Sequence, residues 1–360
     1  MSLSLNNTQI EELRTLCADA EAAGALTPDI LKIIYKEKWF KLFIPKDWRG
    51  LQLSLPEALQ YEEQLAYIDG SLGWAVTLCA GANLFAGYID DPNAQKIFSH
   101  SKVCFGGSGA ATGVASITKD GYIVNGYWKY ATGAPHLTHF TANCILEKNG
   151  KPVFNNDGSQ AIRSFFFRRN NVTIHEEWNT MGLKATAGHS FSVKNLKVKN
   201  EQSFIINEQQ AVLDDPIYHY PFMPFAETTI AVNTLGMTRH FLELVLDTLE
   251  NRQNKIGRNN YDAAVVQVVA GQRQITSIAK QFYKQVELSW AELLNGGQLS
   301  EKVRQKIETL SRHLVKNCRS LVADSYPYCG LAATGINGEL NRVFRDIFTA
   351  SQHSLLTFKH

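Results

Sequence analysis

Near the C-terminus, the segment RDIFTASQH at residues 345–353 places a histidine, His353, two turns of helical spacing beyond an Arg345–Asp346 pair. At 3.6 residues per turn, Arg342, Arg345, Asp346, Thr349, Gln352 and His353 form one polar stripe, and Leu340, Val343, Phe344, Ile347 and Ala350 form an apolar one. An imidazole titrates near neutrality, which makes a histidine there a candidate for chemistry. In WKYATGAPHLTHF, residues 128–140, two aromatic residues (Trp128 and Tyr130) precede Thr132, Gly133, His136 and His139. An aromatic platform, a hydroxyl and a backbone N–H suit a flat polar heterocycle, but the same residues also make an ordinary turn with surface histidines. In WNTMGLKATAGHSFSV, residues 178–193, Trp178 leads into a turn of small residues that contains Thr186. Such a turn admits a ligand close to the backbone, or simply bends tightly.

Other motifs fail on context. GSGAATG, residues 107–113, follows the β-rich KVCFG but runs on as a strand and hairpin, VASITKDGYIVNG. A dinucleotide loop must instead open a helix, so the chain carries no nicotinamide-binding unit of its own. There is no P-loop, HExxH, GxSxG or defensible carboxylate pair. The six cysteines (Cys17, Cys79, Cys104, Cys144, Cys318, Cys329) show no CxxC and no Cys/His spacing suited to zinc. They read as reduced thiols of a cytosolic protein, and no metal site is expected.

The elements that must position these residues follow from periodicity. Residues 1–102 are helical in pattern: Asn6, Asn7 or Thr8 can cap a first helix that Gly24 stops, Thr27–Pro28 opens a second, and Ser54 with Pro56 opens a third. Residues 71–89 are uncharged, but Ser71, Asn83 and three glycines favour a buried helix over a membrane span. Residues 103–212 alternate with period two between turns such as KDG and KNG, which predicts an antiparallel β domain. From 213 to 360 the helical period returns in four long segments, at about 225–256, 261–294, 300–325 and 338–357, and predicts a four-helix bundle. The class is therefore α+β: helical domain, β domain, bundle.

A chain of 360 residues, 44% hydrophobic, buries a large core in two or three domains. Lysine and arginine number 36 against 34 acidic residues, with no long basic run, so neither nucleic acid nor a membrane surface is the expected partner. A small molecule is. The N-terminus, MSLSLNNTQIEELRTL, lacks the pattern of a secretory signal.

Five stretches in order resemble the acyl-CoA dehydrogenase superfamily, and more narrowly its flavin-dependent monooxygenase branch, the oxygenase components of two-component hydroxylases. They are DGSLGW (69–74), KDGYIVNGYWKYATG (119–133), WNTMGLKATAGHSFSV (178–193), the helical tract from AETTIAVNTLGMTRHF, and LNRVFRDIFTASQH (340–353), within a resemblance that extends over about residues 27–357. The resemblance implies FAD or FMN bound between β domain and bundle, reduced flavin supplied by a separate reductase, a hydrophobic or aromatic substrate, and a homotetramer. It assigns His353 to the substrate proton and Thr132 to the flavin ring edge. Gly133, Trp178, Thr186 and Ser108 would complete the flavin site, and Trp74, His136 and His139 would face substrate.

The superfamily's dehydrogenases carry a glutamate soon after an RD on the last helix, where this chain has His353 and Ser354. Some relatives use the first bundle helix instead, where Glu227 stands within about one residue, so a dehydrogenase acting through Glu227 is the rival reading, and a non-catalytic scaffold is a third. The T-x-P-x-x-G-S-D flavin segment is replaced by GSGAATG, and the R-x-x-F-G phosphate contact survives only loosely around Arg252 and Gly257. Arg345 and Asp346 are expected to pair and cap within the bundle.

Overall fold

Three layers of structure follow one another along the chain in a computed structural model that describes residues 5–90 and 92–357. Helices α1 (Asn7–Ala23), α2 (Pro28–Lys36) and α3 (Leu55–Ile68) begin where the local chemistry satisfies their free N–H groups. Asn6 and Gln9 form a reciprocal capping box, as do Ser54 and Glu57, and Pro28 takes the first turn of α2. Helix α4 (Gly70–Asn83) is capped by the Asp69 carboxylate, which accepts from the Leu72 N–H at 3.0 Å. This is the uncharged stretch at 71–89, and it is buried on nearly all sides. A short α5 (Ala94–Ser99) closes the helical layer.

One sheet follows: β1 (Phe105–Thr118), β2 (Gly121–Ala131), β3 (His139–Lys148), β4 (Lys151–Pro152), β5 (Ile162–Arg168), β6 (Thr173–His175), β7 (His189–Val198) and β8 (Ser203–Phe204). Its order is β6-β7-β2-β1-β3-β5-β8, with β4 beside β3. The expectation of an antiparallel domain is corrected here, because β1 and β3 pair in parallel, Phe105 opposite His139 and Ser116 opposite Glu147. After the β1–β2 hairpin the chain crosses to the far side of β1 before it turns back, and a strand laid there must run parallel to β1.

The C-terminal layer holds α6 (Phe222–Ile256), α7 (Arg258–Gly296), α8 (Glu301–Ser325) and α9 (Glu339–Ala350), then a single turn α10 (Ser354–Thr357). The fourth segment is thus shorter than its apolar pattern indicates: Ser351 ends α9, and His353 lies in the link to α10 rather than on the helix. Helix α6 packs directly on α3, where a Cβ at Gly236 would sit 2.2 Å from the Glu63 carbonyl oxygen. Fully buried Trp39, Phe40, Phe43, Tyr218 and Phe225 bind the layers together, each worth about 1.5–3 kcal/mol of burial. Among the described residues no helix is long and apolar enough to cross a membrane.

Candidate active site

Parallel pairing of β1 and β3 makes residues 132–138 a strap across the start of β1. The N–H groups of Thr138 and His139 both donate to the Cys104 carbonyl, at 2.8 and 3.3 Å. A Cβ at Gly106 would lie 3.1 Å from the Thr132 carbonyl oxygen, so strap and strand touch. Ser108, two residues further along β1, shares the Gly106 face, and its hydroxyl accepts from the Ala110 N–H at 3.5 Å. Thr132 is 9% exposed, and its hydroxyl makes no hydrogen bond to another described residue. Gly133 takes φ +78° and donates to the Thr186 carbonyl at 2.7 Å. A Cβ there would come 2.6 Å from His136 Nε2 and 3.3 Å from Cys79 Sγ, so both the turn and the packing require glycine.

The two aromatic residues before the strap divide. Trp128 is sheet core, fully buried, donating to the Asn143 carbonyl at 3.0 Å and stacked on Phe191 at 5.1 Å. Tyr130 is 68% exposed at φ +69°, a conformation a bulky residue seldom adopts, and its ring stands edge-on to Trp178 at 6.1 Å. Sequence reasoning named both as a platform; only the observed φ singles out Tyr130.

The Trp178–Gly188 turn is tied at Leu183. Trp178 Nε1 and Thr186 Oγ1 both donate to the Leu183 carbonyl, at 3.0 and 2.7 Å, while the Leu183 N–H donates to Asp346 Oδ1 at 2.5 Å. Arg345 donates to the Met181 carbonyl and pairs with Glu21 at 2.9 Å. The expectation that Arg345 and Asp346 pair and cap within the bundle is corrected in part: Arg345 keeps a bond to Asn341 of α9 at 2.9 Å, and both residues also reach out of the bundle to hold this turn. A Cβ at Gly182 would lie 2.2 Å from the Arg345 carbonyl oxygen, which is how closely α9 seats against the turn. A continuous hydrogen-bonded path thus runs from Asp346 through Leu183 and Thr186 to Gly133, beside Thr132. Burial, then the neighbouring Asp69 carboxylate, pushes the Asp346 carboxyl well above its usual range. Arg342 pairs with Asp69 at 3.3 Å.

Helix α4 is where the pieces meet. The His353 ring lies 6.0 Å from that of Trp74 on α4, and the His353 backbone N–H donates to the Ala350 carbonyl at 3.1 Å. Five residues on, about 7.5 Å along the axis, Cys79 reaches the strap, its thiol 3.9 Å from the Thr132 carbonyl. His136 and His139 are held by packing. His136 stacks flat on Phe40 at 5.3 Å, and His139 stacks on Phe105 at 4.5 Å beside Phe166. Burial, then Arg168, lowers His139 to about 4, so it is neutral at physiological pH.

Glu227 is buried on α6 and paired with Arg312 of α8 at 3.3 Å. Burial outweighs Arg312 and raises its carboxyl to about 7. Arg252 donates to the Tyr328 carbonyl at 2.5 Å. The structure also gathers Cys79, Cys104 and His136, whose ligand atoms lie within 4.8 Å of one another. No sequence spacing announces this cluster, because it is made by the strap crossing β1.

Residues 228–358 match the family described as acyl-CoA dehydrogenase, C-terminal domain. Over 347 residues the chain is 20% identical to an indole-3-acetate monooxygenase of Acinetobacter baumannii, covering 95% of this chain and 87% of that one. It is 24% identical over 236 residues to the oxygenase subunit HsaA, a flavin-dependent monooxygenase of Mycobacterium tuberculosis, covering 63% and 58%. Among solved structures, 3-HSA hydroxylase from Rhodococcus sp. RHA1 superposes with TM-score 0.87 at 20% identity, over 98% of this chain and 92% of that one. XiaF from Streptomyces sp., solved with FADH2 and glycerol, superposes with TM-score 0.82 at 17% identity, over 96% and 90%. Residues 228–358 thus match the acyl-CoA dehydrogenase C-terminal domain, and the chain as a whole is similar in sequence and fold to flavin-dependent monooxygenase components.

Proposed function

We propose that the protein is the oxygenase component of a two-component flavin-dependent monooxygenase, which takes reduced FAD or FMN from a separate reductase and hydroxylates an aromatic or other hydrophobic small molecule. The observation that carries this reading is the gathering of the Thr132–Gly133 strap, the Trp178–Gly188 turn, Trp74 and His353 around α4. The residues present suit a flavin: an exposed Tyr130 ring in a strained backbone, a Thr132 hydroxyl with no partner among the described residues, and a Gly133 that admits no side chain. Thr132 and Gly133 would hold the polar ring edge, Tyr130 and Trp178 would cover the ring, and Ser108 and Thr186 would border it. Reduced flavin, when bound, supplies the electrons that activate dioxygen.

The chain's own residues do the rest. His353, beside the apolar face of Trp74, orients a substrate hydroxyl or ring N–H and accepts its proton, for which an imidazole is suited near neutrality. The buried strap and turn exclude water from the reacting edge. Glu227, engaged by Arg312, is not needed. The cysteines Cys17, Cys79, Cys104, Cys144, Cys318 and Cys329 are all free and buried, which supports a reducing cytosol. Exposed Val266, Leu288 and Leu294 on α7 support a homotetramer built through the bundle.

The test mixes the protein with chemically reduced FAD or FMN in air, together with indole and phenol acids. Stoichiometric hydroxylated product carrying oxygen from dioxygen is expected. Bleaching of bound oxidised FAD by an acyl-CoA thioester, with no hydroxylation, would replace this reading with the dehydrogenase.

A further inference from the structure

Cys79 projects from the middle of α4, Cys104 immediately precedes β1, and His136 lies in the strap. They come from three segments, yet their ligand atoms fall within 4.8 Å of one another. Both cysteines are fully buried, and among the described residues His136 Nε2 is buried with no well-formed hydrogen bond, its nearest polar neighbours being the thiols themselves. A buried imidazole nitrogen left without a full partner is costly, so the site is incomplete as protein alone. The ring cannot easily turn away, since Phe40 stacks on it at 5.3 Å with planes 8° apart and Gly133 backs it.

We propose that Cys79, Cys104 and His136 form a zinc-binding site that clamps the Thr132 strap to α4 and to the start of β1. Two thiolates and an imidazole are a soft donor set that selects Zn2+ over hard cations. Their charges make the loaded site neutral: two thiolates balance one Zn2+, and the imidazole adds none. A neutral buried site avoids the desolvation cost of an isolated ion. Tetrahedral zinc separates its donor atoms by under about 4 Å, from bond lengths of roughly 2.0–2.3 Å, so the observed spread needs only a small contraction. Binding displaces two thiol protons, which leave to solvent. The Cys104 thiol beside it, against the cost of burial and aided by His136, lowers the Cys79 thiol from its ordinary value. Tyr35, whose phenol burial and the two cysteines keep protonated, borders the same space.

The clamp would act on the site through Thr132, whose carbonyl lies 3.9 Å from Cys79 Sγ. It does not require that the protein be a monooxygenase, and its test reads the ion directly. Protein purified under reducing conditions and stripped with a chelator is titrated with Zn2+ against a chromophoric competitor, and separately with Co2+. Saturation at one ion per chain, with an intense thiolate-to-Co2+ absorption in the near ultraviolet and a rise in Tm, is expected. His136→Gln should weaken Zn2+ at least about tenfold, and Cys104→Ser should abolish the Co2+ band. The wild-type titration decides even where a variant fails to fold. No saturable uptake by the reduced wild-type protein, or a Co2+ band unchanged in both variants, would overturn the site.

Discussion

Replacing Asp346 tests whether α9 sets the geometry of the cofactor edge. Its Oδ1 is the acceptor for the Leu183 N–H, and Leu183 sits at φ +53°, in a region that non-glycine residues enter at a cost of about 1–3 kcal/mol. In Asp346→Ala that buried N–H loses its acceptor, which costs about 1–3 kcal/mol more. The turn that carries Thr186, and through it Gly133, then has both reason and freedom to open. A shift of about 1.4 kcal/mol toward an open turn lowers apparent ligand affinity about tenfold. Asp346→Asn keeps a carbonyl oxygen in place and should leave affinity within about twofold. Anaerobic titration with reduced FAD and FMN measures these constants, alongside urea unfolding for stability. The same comparison carries a pH signature. Because the Asp346 carboxyl is raised in the folded protein, the native state holds its proton longer than the unfolded chain does, and stability falls as pH rises above the ordinary carboxylate range. Asp346→Asn removes that decline. Alanine binding flavin as well as wild type, or asparagine losing as much as alanine, would refute the path from α9 to the strap.

Thr132→Ala should leave the fold intact, lowering stability by under about 1 kcal/mol, while raising the fraction of oxygen released as hydrogen peroxide instead of product; unaltered coupling would remove the hydroxyl from the site. In His353→Ala, flavin oxidation should persist and hydroxylation fall at least about a hundredfold, the usual scale of a lost acid–base group, with the pH dependence near neutrality flattened. A retained pH profile would assign that ionisation elsewhere. Glu227 is raised to about 7 when folded, so it stabilises the protein fully only below its unfolded value of 4.5 and loses that contribution as pH rises through 7. Glu227→Gln should therefore flatten unfolding free energy between those pH values without touching hydroxylation; an inactive Glu227→Gln enzyme would revive the carboxylate mechanism.

Helix starts were legible because their chemistry is local: Asn6 with Gln9, Ser54 with Glu57 and Thr27 before Pro28 announce themselves within four residues. The sheet was legible as alternation but not as topology, since the β1–β3 pairing depends on where the chain passes between distant strands. The end of α9 was hidden because apolar spacing alone does not mark a stop at Ala350, and no glycine or proline follows. Arg345 and Asp346 read as bundle residues because their partners in the turn, Met181 and Leu183, lie far away in the sequence. Trp128 and Tyr130, two residues apart, read as one platform because alternation presumes a regular strand. The left-handed residue at Tyr130 and the register shift before Ala131 break that rule and send the two rings to different environments.

The strap across β1 has its ends fixed in different ladders, Ala131 opposite His189 and His139 opposite Phe105 and Arg168. Insertions or deletions between those anchors would therefore change how the cofactor edge is presented without disturbing a single sheet pairing. A lineage can retune its chemistry there while its scaffold stays constant.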